Sequence, residues 1–121
     1  MNADVQRAFE RDELIDVTTT GRKSGRSHRI EIGFHIVEGK VYISGRPGKR
    51  DWYANLLANP DFTFHLKGAV KTDLPARAIP ITDEGTRRRV LPIIMARWGN
   101  LTDLEHYVTS SPLVEIRFPQ V

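Results

Sequence analysis

"HRIEIGFHIVEGKVYIS", residues 28–44, is the stretch that decides how this chain folds. Ile30, Ile32, Phe34 and Ile36 alternate with Arg29, Glu31, Gly33 and His35, a period of two that gives an extended segment one apolar face and one polar face. Glu38-Gly39 follows as a tight hairpin loop, with glycine where the turn demands a positive φ. Val41 to Ser44 returns as the partner strand. Upstream, Leu14 to Thr19 is rich in β-favouring residues and ends at Gly21, so a turn joins it to the alternating segment.

Downstream the pattern changes. "GRPGKR" (45–50) has the composition of a turn. Asp51 is placed to cap a short helix, "WYANLLAN", which Pro60 stops because proline offers no N–H and restricts the residue before it. Phe62, Phe64 and Leu66 alternate with Thr63, His65 and Lys67 as a further strand. Lys71 to Ile81 is extended, and Pro75 and Pro80 direct it to a sheet edge or a bulge. Thr82 or Asp83 caps a second helix to about Trp98, with a kink or break expected at Pro92. A weaker helical turn near Asp103 to Tyr107 precedes a last strand, in which Val114, Ile116 and Phe118 face inward. About six antiparallel strands with short flanking helices make an α+β domain on a small barrel or strongly curved sheet.

The chain of 121 residues, 40% of them hydrophobic, has material for one core, and a single domain over 1–121 is expected. It has no cysteine, which removes disulfides and thiolate chemistry. Met1 to Glu13 is charged throughout without an apolar signal segment, and the longest uncharged apolar run, Val90 to Ala96, interrupted here only by Pro92, is short. A cytoplasmic protein without transmembrane segments is expected, with peripheral membrane contact still open, as monomer or homodimer.

Charge is distributed unevenly. From Arg22 to Arg50 eight cations face two acids, a local charge of +6 where the whole chain carries +3. An excess of this kind describes an anionic partner. In "TGRKSGR" two glycines allow a tight bend whose N–H groups can point at an anion, while Arg22 and Lys23 add charge. In "GRPGKRDWYANLLANP" a basic loop feeds a helix N-terminus, which favours negative charge through its unpaired amides and dipole. Trp52 and Asn55 share a helix face there. An aromatic plane and an amide beside an anion site suit a ring-bearing phosphorylated ligand.

Other chemistries are not supported. The four histidines do not stand at metal-ligand spacing, so no metal is expected. Gly48-Lys49 lacks the remainder of a nucleotide-binding loop, and Ser24 has no Gly-x-Ser-x-Gly context. Arg87 to Arg89 is expected as a solvated helix face. Aromatics do not interleave with the cations, which argues against nucleic acid.

"TTTGRKSGR", the Glu38-Gly39 hairpin, and "WYANLLANP" followed by a strand and Lys67-Gly68 together resemble the deazaflavin-dependent nitroreductase family of the flavin/deazaflavin oxidoreductase superfamily. The match in order and spacing runs from Leu14 to Phe118. This resemblance implies a split β-barrel of the FMN-binding, pyridoxamine-oxidase-like kind that binds coenzyme F-420, an 8-hydroxy-5-deazaflavin whose tail carries a phosphate and several glutamates. By position, Arg22, Lys23 and Ser24 would hold phosphate or tail carboxylates, with Arg29 as the next cation. Ser44, Gly45 and Arg46 would lie along the cofactor, and Trp52 and Asn55 would border its rings. The implied reaction is hydride transfer to a quinone, nitro-aromatic or activated enone, with no protein nucleophile and with His35, Tyr107 or water as proton donor. The alternative is a split barrel that uses FMN or binds a ligand without turnover. Variable segments, the N-terminal stretch and Ile94 to Tyr107, would line the acceptor site.

Overall fold

The alternating segment is extended as its sequence demands, but it changes partner midway. The computed structural model describes residues 2–100 and 102–119. β1 (Leu14–Thr20) pairs with β2 (Ser27–Gly33), and after Phe34 the same run continues as β3 (His35–Val37), which pairs with β4 (Lys40–Ser44). The hairpin forms at Glu38-Gly39, both with positive φ (53° and 78°). α2 (Asp51–Ala58) leads to β5 (Asp61–Lys67), β6 (Lys71–Pro80) and finally β7 (Leu113–Arg117). The antiparallel sheet runs β2-β1-β5-β6-β7-β4-β3, seven strands among the described residues where about six were expected. The extra one arises from the partner change. Since β2 and β3 are the two edges and also one continuous run of chain, the sheet must curl until its edges meet, forming a half-barrel.

The barrel interior follows from the period-two pattern. Ile15, Val17, Phe62, Phe64, Leu66, Val114 and Ile116 fill it. One end is closed by α1 (Ala3–Arg11), a helix the charged N-terminal sequence concealed. Val5, Ala8 and Phe9 lie on one face of it, and the Phe9 ring meets those of Phe34, Phe64 and Phe118 at 5.7, 5.4 and 5.4 Å between centroids. Truncating such a plug to Ala costs about 3–5 kcal/mol.

A second core sits outside the barrel, where Val37, Tyr42 and Leu113 meet α3 (Glu84–Arg97) and α4 (Leu104–Ser110). Asp83 caps α3 through the Thr86 N–H at 2.9 Å, and the helix runs on through Pro92 without a break. The arginine run is a solvated face at Arg88 and Arg89, as expected, but not at Arg87. Arg87, only 7% exposed, donates to the carbonyls of Ile81, Tyr107, Val108 and Ser111, while Arg88 pairs with Glu84 and Glu105, and Arg89 with Glu38. Arg87 thereby satisfies the C-terminal carbonyls of α4 from inside the protein. β6 corrects the expectation of an edge strand, since it lies between β5 and β7. Pro75 is tolerated because that half of β6 pairs with β5 only, β7 joining from Arg77 onward.

Candidate functional site

The connection from β1 to β2 is built to leave amides free. Thr20 pairs with Ser27, so residues 21–26 make the turn. The Gly21 N–H donates to the Arg26 carbonyl at 2.8 Å, the Gly25 N–H to the Gly21 carbonyl at 3.0 Å, and the Arg26 N–H to Ser24 Oγ at 3.1 Å. Among the described residues the N–H groups of Lys23 and Ser24 have no acceptor, which makes the bend a nest for an anion. A Cβ on Gly21 would lie 2.8 Å from His28 Nε2 and from Ser24 Oγ, so a side chain there would require both of those side chains to shift.

α2 holds this turn. Asn55, buried within the helix, accepts from the Arg22 backbone N–H at 3.1 Å and from Arg22 Nη1 at 2.9 Å. Asp51 is the first helical residue and not the cap; its carboxylate takes Arg22 Nη2 at 3.3 Å, and the helix start has no side-chain cap. Between turn, helix and strands lies a cleft of about 400 Å³. Lys23 and Ser24 form its cationic end, Trp52 its aromatic wall, and Thr19, His28 and Ile30 its floor.

Of the nine residues expected to contact a cofactor, Arg22, Lys23, Ser24, Trp52 and Asn55 meet here. The loop after β4 runs beside them without lining the cleft. Ser44 is buried and donates its hydroxyl to the Pro112 carbonyl at 2.6 Å. A Cβ on Gly45 would stand 4.0 Å from Trp52 Cζ2, and Arg46 is exposed, its carbonyl accepting from Arg50 Nη2 at 3.2 Å. Arg29 lies elsewhere. As the strand neighbour of Ile30 it points to the opposite face, where its Nε meets Asp16 Oδ2 at 3.0 Å. Lys67, and then Arg29, hold the Asp16 carboxyl below its ordinary pKa.

His28 and Thr19 were missed by sequence reasoning. Their signal is parity, because His28 shares its strand face with Ile30 and pairs across with Thr19. The suggested proton donors lie outside this cleft. His35 is half-buried, and burial with the nearby Arg97 depresses its pKa to about 4, so near neutral pH it carries no extra proton to give. The Tyr107 hydroxyl is buried and accepts from Asn100 Nδ2 at 2.7 Å. No cluster among the described residues could hold a metal ion, and no described helix is long and apolar enough to cross a membrane.

The chain has counterparts among known proteins. A family model described as "F420H(2)-dependent quinone reductase" matches residues 1–116. Among solved structures, a putative pyridoxamine 5'-phosphate oxidase from Listeria innocua has 13% identity and a TM-score of 0.71, covering 98% of this chain and 97% of its own. A protein titled "F420 Reductase" has 15% identity and a TM-score of 0.70 over 93% of this chain and 91% of its own. The conserved hypothetical protein Rv2991 from Mycobacterium tuberculosis has 17% identity and a TM-score of 0.75 over 98% and 81%. At such identities the structures show the fold, a split barrel of the pyridoxamine-oxidase kind. The chain belongs to the F-420-dependent quinone reductase family, a family of oxidoreductases.

Proposed function

We propose that this protein is an F-420-dependent reductase of quinones, with nitro-aromatics and activated enones as further acceptors, and that the cofactor occupies the cleft between the 21–26 turn and α2. One observation carries the reading: the cationic turn and the start of α2 are joined through Arg22 and Asn55 into a single site with an indole at its side. Cation, free amides, helix terminus and aromatic plane suit an elongated ligand with an anionic end. Lys23, Ser24 and the turn amides would hold phosphate, each charge-assisted bond contributing roughly 1.5–3 kcal/mol. Arg22 would share that task from the position Asn55 sets. Trp52 and Ile30 would flank the rings and keep water from one face, with Ser44, Gly45 and Arg46 in the adjoining loop.

Charge favours a tail with several negative groups over FMN with its one phosphate. Lys23, Arg26, Arg46 and Lys49 have no acidic partner among the described residues, so their charge remains for a ligand. When bound, F-420 supplies two-electron hydride chemistry, and the protein's part is to bind, orient and exclude solvent. The test mixes purified protein with reduced F-420 and 1,4-naphthoquinone and follows the return of oxidised-cofactor absorbance. Protein-dependent oxidation is expected. Tight binding without oxidation would favour a ligand-binding barrel, binding of FMN alone would favour the flavin, and binding of neither would overturn the reading.

A further inference from the structure

Asp51 is the single acid that lines the cationic cleft, set there beside Arg22 and Lys23. A carboxylate in that position repels the anion that the turn suits. It stands one helical turn before Asn55 on the same face of α2, and the two side chains grip one guanidinium. Arg22 Nη1 donates to Asn55 Oδ1 at 2.9 Å and Nη2 to Asp51 Oδ1 at 3.3 Å. The grips differ in kind. Asn55 is 4% exposed and also accepts from the Arg22 backbone N–H, so it holds the turn whatever Asp51 does. The Asp51 side chain is 92% exposed, the highest value among the ion-paired carboxylates of the described residues, and it reaches Arg22 with one oxygen. An exposed pair of this kind is weak and readily exchanged.

Resting on the reading of this cleft as the F-420 site, we propose that Asp51 is an internal competitor for Arg22, and that it sets how tightly the cofactor's anionic end is held and how fast it is released. A hydride carrier that arrives reduced and departs oxidised must leave in every turnover. Arg22, Lys23 and the free turn amides acting unopposed would slow that departure.

The exchange follows from the two grips. An arriving phosphate finds the guanidinium fixed by Asn55 and its Nη2 shared with Asp51. Phosphate oxygens take charge-assisted bonds from a guanidinium in parallel pairs, which one exposed carboxylate oxygen does not match. The phosphate gains Nη2, and Asp51 turns out into solvent with a like charge as its new neighbour. When the cofactor leaves, the carboxylate recovers its partner. Asp51 also belongs to the first turn of α2, where negative charge complements the helix dipole, so its return restores an anion at that helix start.

The test compares wild type with Asp51→Asn, which removes the charge and keeps the shape, and with Asp51→Glu, which keeps the charge. Binding and release of F-420 are followed by its fluorescence in titration and stopped flow. Inorganic pyrophosphate serves as a probe without rings, read from the Lys23 and Ser24 amide signals in ¹⁵N–¹H spectra. Asp51→Asn is expected to bind both anions at least threefold more tightly and to release F-420 correspondingly more slowly, while Asp51→Glu stays within twofold of wild type. With Arg22→Ala in place, Asp51→Asn should gain less than twofold, since the contested partner is gone. Weaker or unchanged binding of both anions in Asp51→Asn would overturn the proposal, the former making Asp51 a positioning partner of Arg22. An equal gain with and without Arg22 would also overturn it, leaving only general repulsion. A protein whose Asp51→Asn variant tightens on pyrophosphate, with the gain lost in Arg22→Ala, yet never binds F-420 keeps the competitor and loses the cofactor reading.

Discussion

The carboxamide oxygen of Asn55 binds Arg22 twice, once at its backbone and once at its guanidinium, so a helix residue sets the position of a turn residue 33 places away in sequence. Removing the amide should loosen turn and cation together. Asn55→Ala is expected to lower stability by about 1–3 kcal/mol, the loss of two hydrogen bonds of which one is charge-assisted, and to weaken F-420 binding. Asn55→Asp should keep the turn in place but neutralise Arg22, so stability holds while affinity falls. Urea denaturation and a fluorescence titration of F-420 separate the two effects. Equal affinity in wild type and both variants would refute the link.

Arg22 and Lys23 are exposed and contribute little to the core, so their loss should be read in binding. The double variant Arg22→Ala, Lys23→Ala should bind F-420 at least tenfold more weakly, about 1.4 kcal/mol, with an unchanged urea midpoint. Raising the salt concentration should narrow the gap, because screening weakens the charges that remain in wild type. An unchanged dissociation constant would remove both residues from the site.

Neighbouring arginines on α3 should behave differently. Arg87→Leu leaves four carbonyls without their donor, at roughly 1–3 kcal/mol for each buried group left unmet, and a total loss of at least about 3 kcal/mol is expected. Arg88→Ala breaks only surface pairs with Glu84 and Glu105, and its denaturation midpoint should match that of wild type. Similar midpoints for the two variants would contradict the burial of Arg87.

His35 should make the fold sensitive to acid. Burial first, then Arg97, holds its pKa near 4 in the folded protein, against 6.5 ordinarily. Between those values the unfolded chain binds the proton and the folded one does not, so stability is lost as pH falls from 6.5 towards 4 and is unaffected above. Allowing for solvent at a half-buried ring, the loss is about 1–2 kcal/mol. Denaturation at pH 7.5 and 5.0 should show this difference in wild type to be larger than in His35→Phe; equal differences would assign the acid sensitivity to other groups.

Much of the fold could be read from local pattern. The hairpin at Glu38-Gly39 followed from turn geometry, and the inward residues of β5 and β7 followed from alternation. The bend at 21–26 and the start of α2 were recognisable because glycines and cations sit beside strand and helix signals. α1 was not, since its three buried residues are scattered among charges and gain their meaning only from the barrel end they close. Arg87 misled for a related reason: its carbonyl partners come from α4 and from the segments before α3 and β7, and none is visible from the run of three arginines.

The chain's own order of residues therefore determined which segments extend, where they turn, and where positive charge gathers, because period, glycine placement and charge are properties of neighbours in sequence. Tertiary structure alone decided that β2 and β3 become the two edges of one curled sheet, that Arg29 faces away while His28 faces the cleft, and that Arg22 is tied to Asn55. Those outcomes depend on strand register and on packing between distant segments, where a shift of one residue reverses every side chain and no local rule selects the partner.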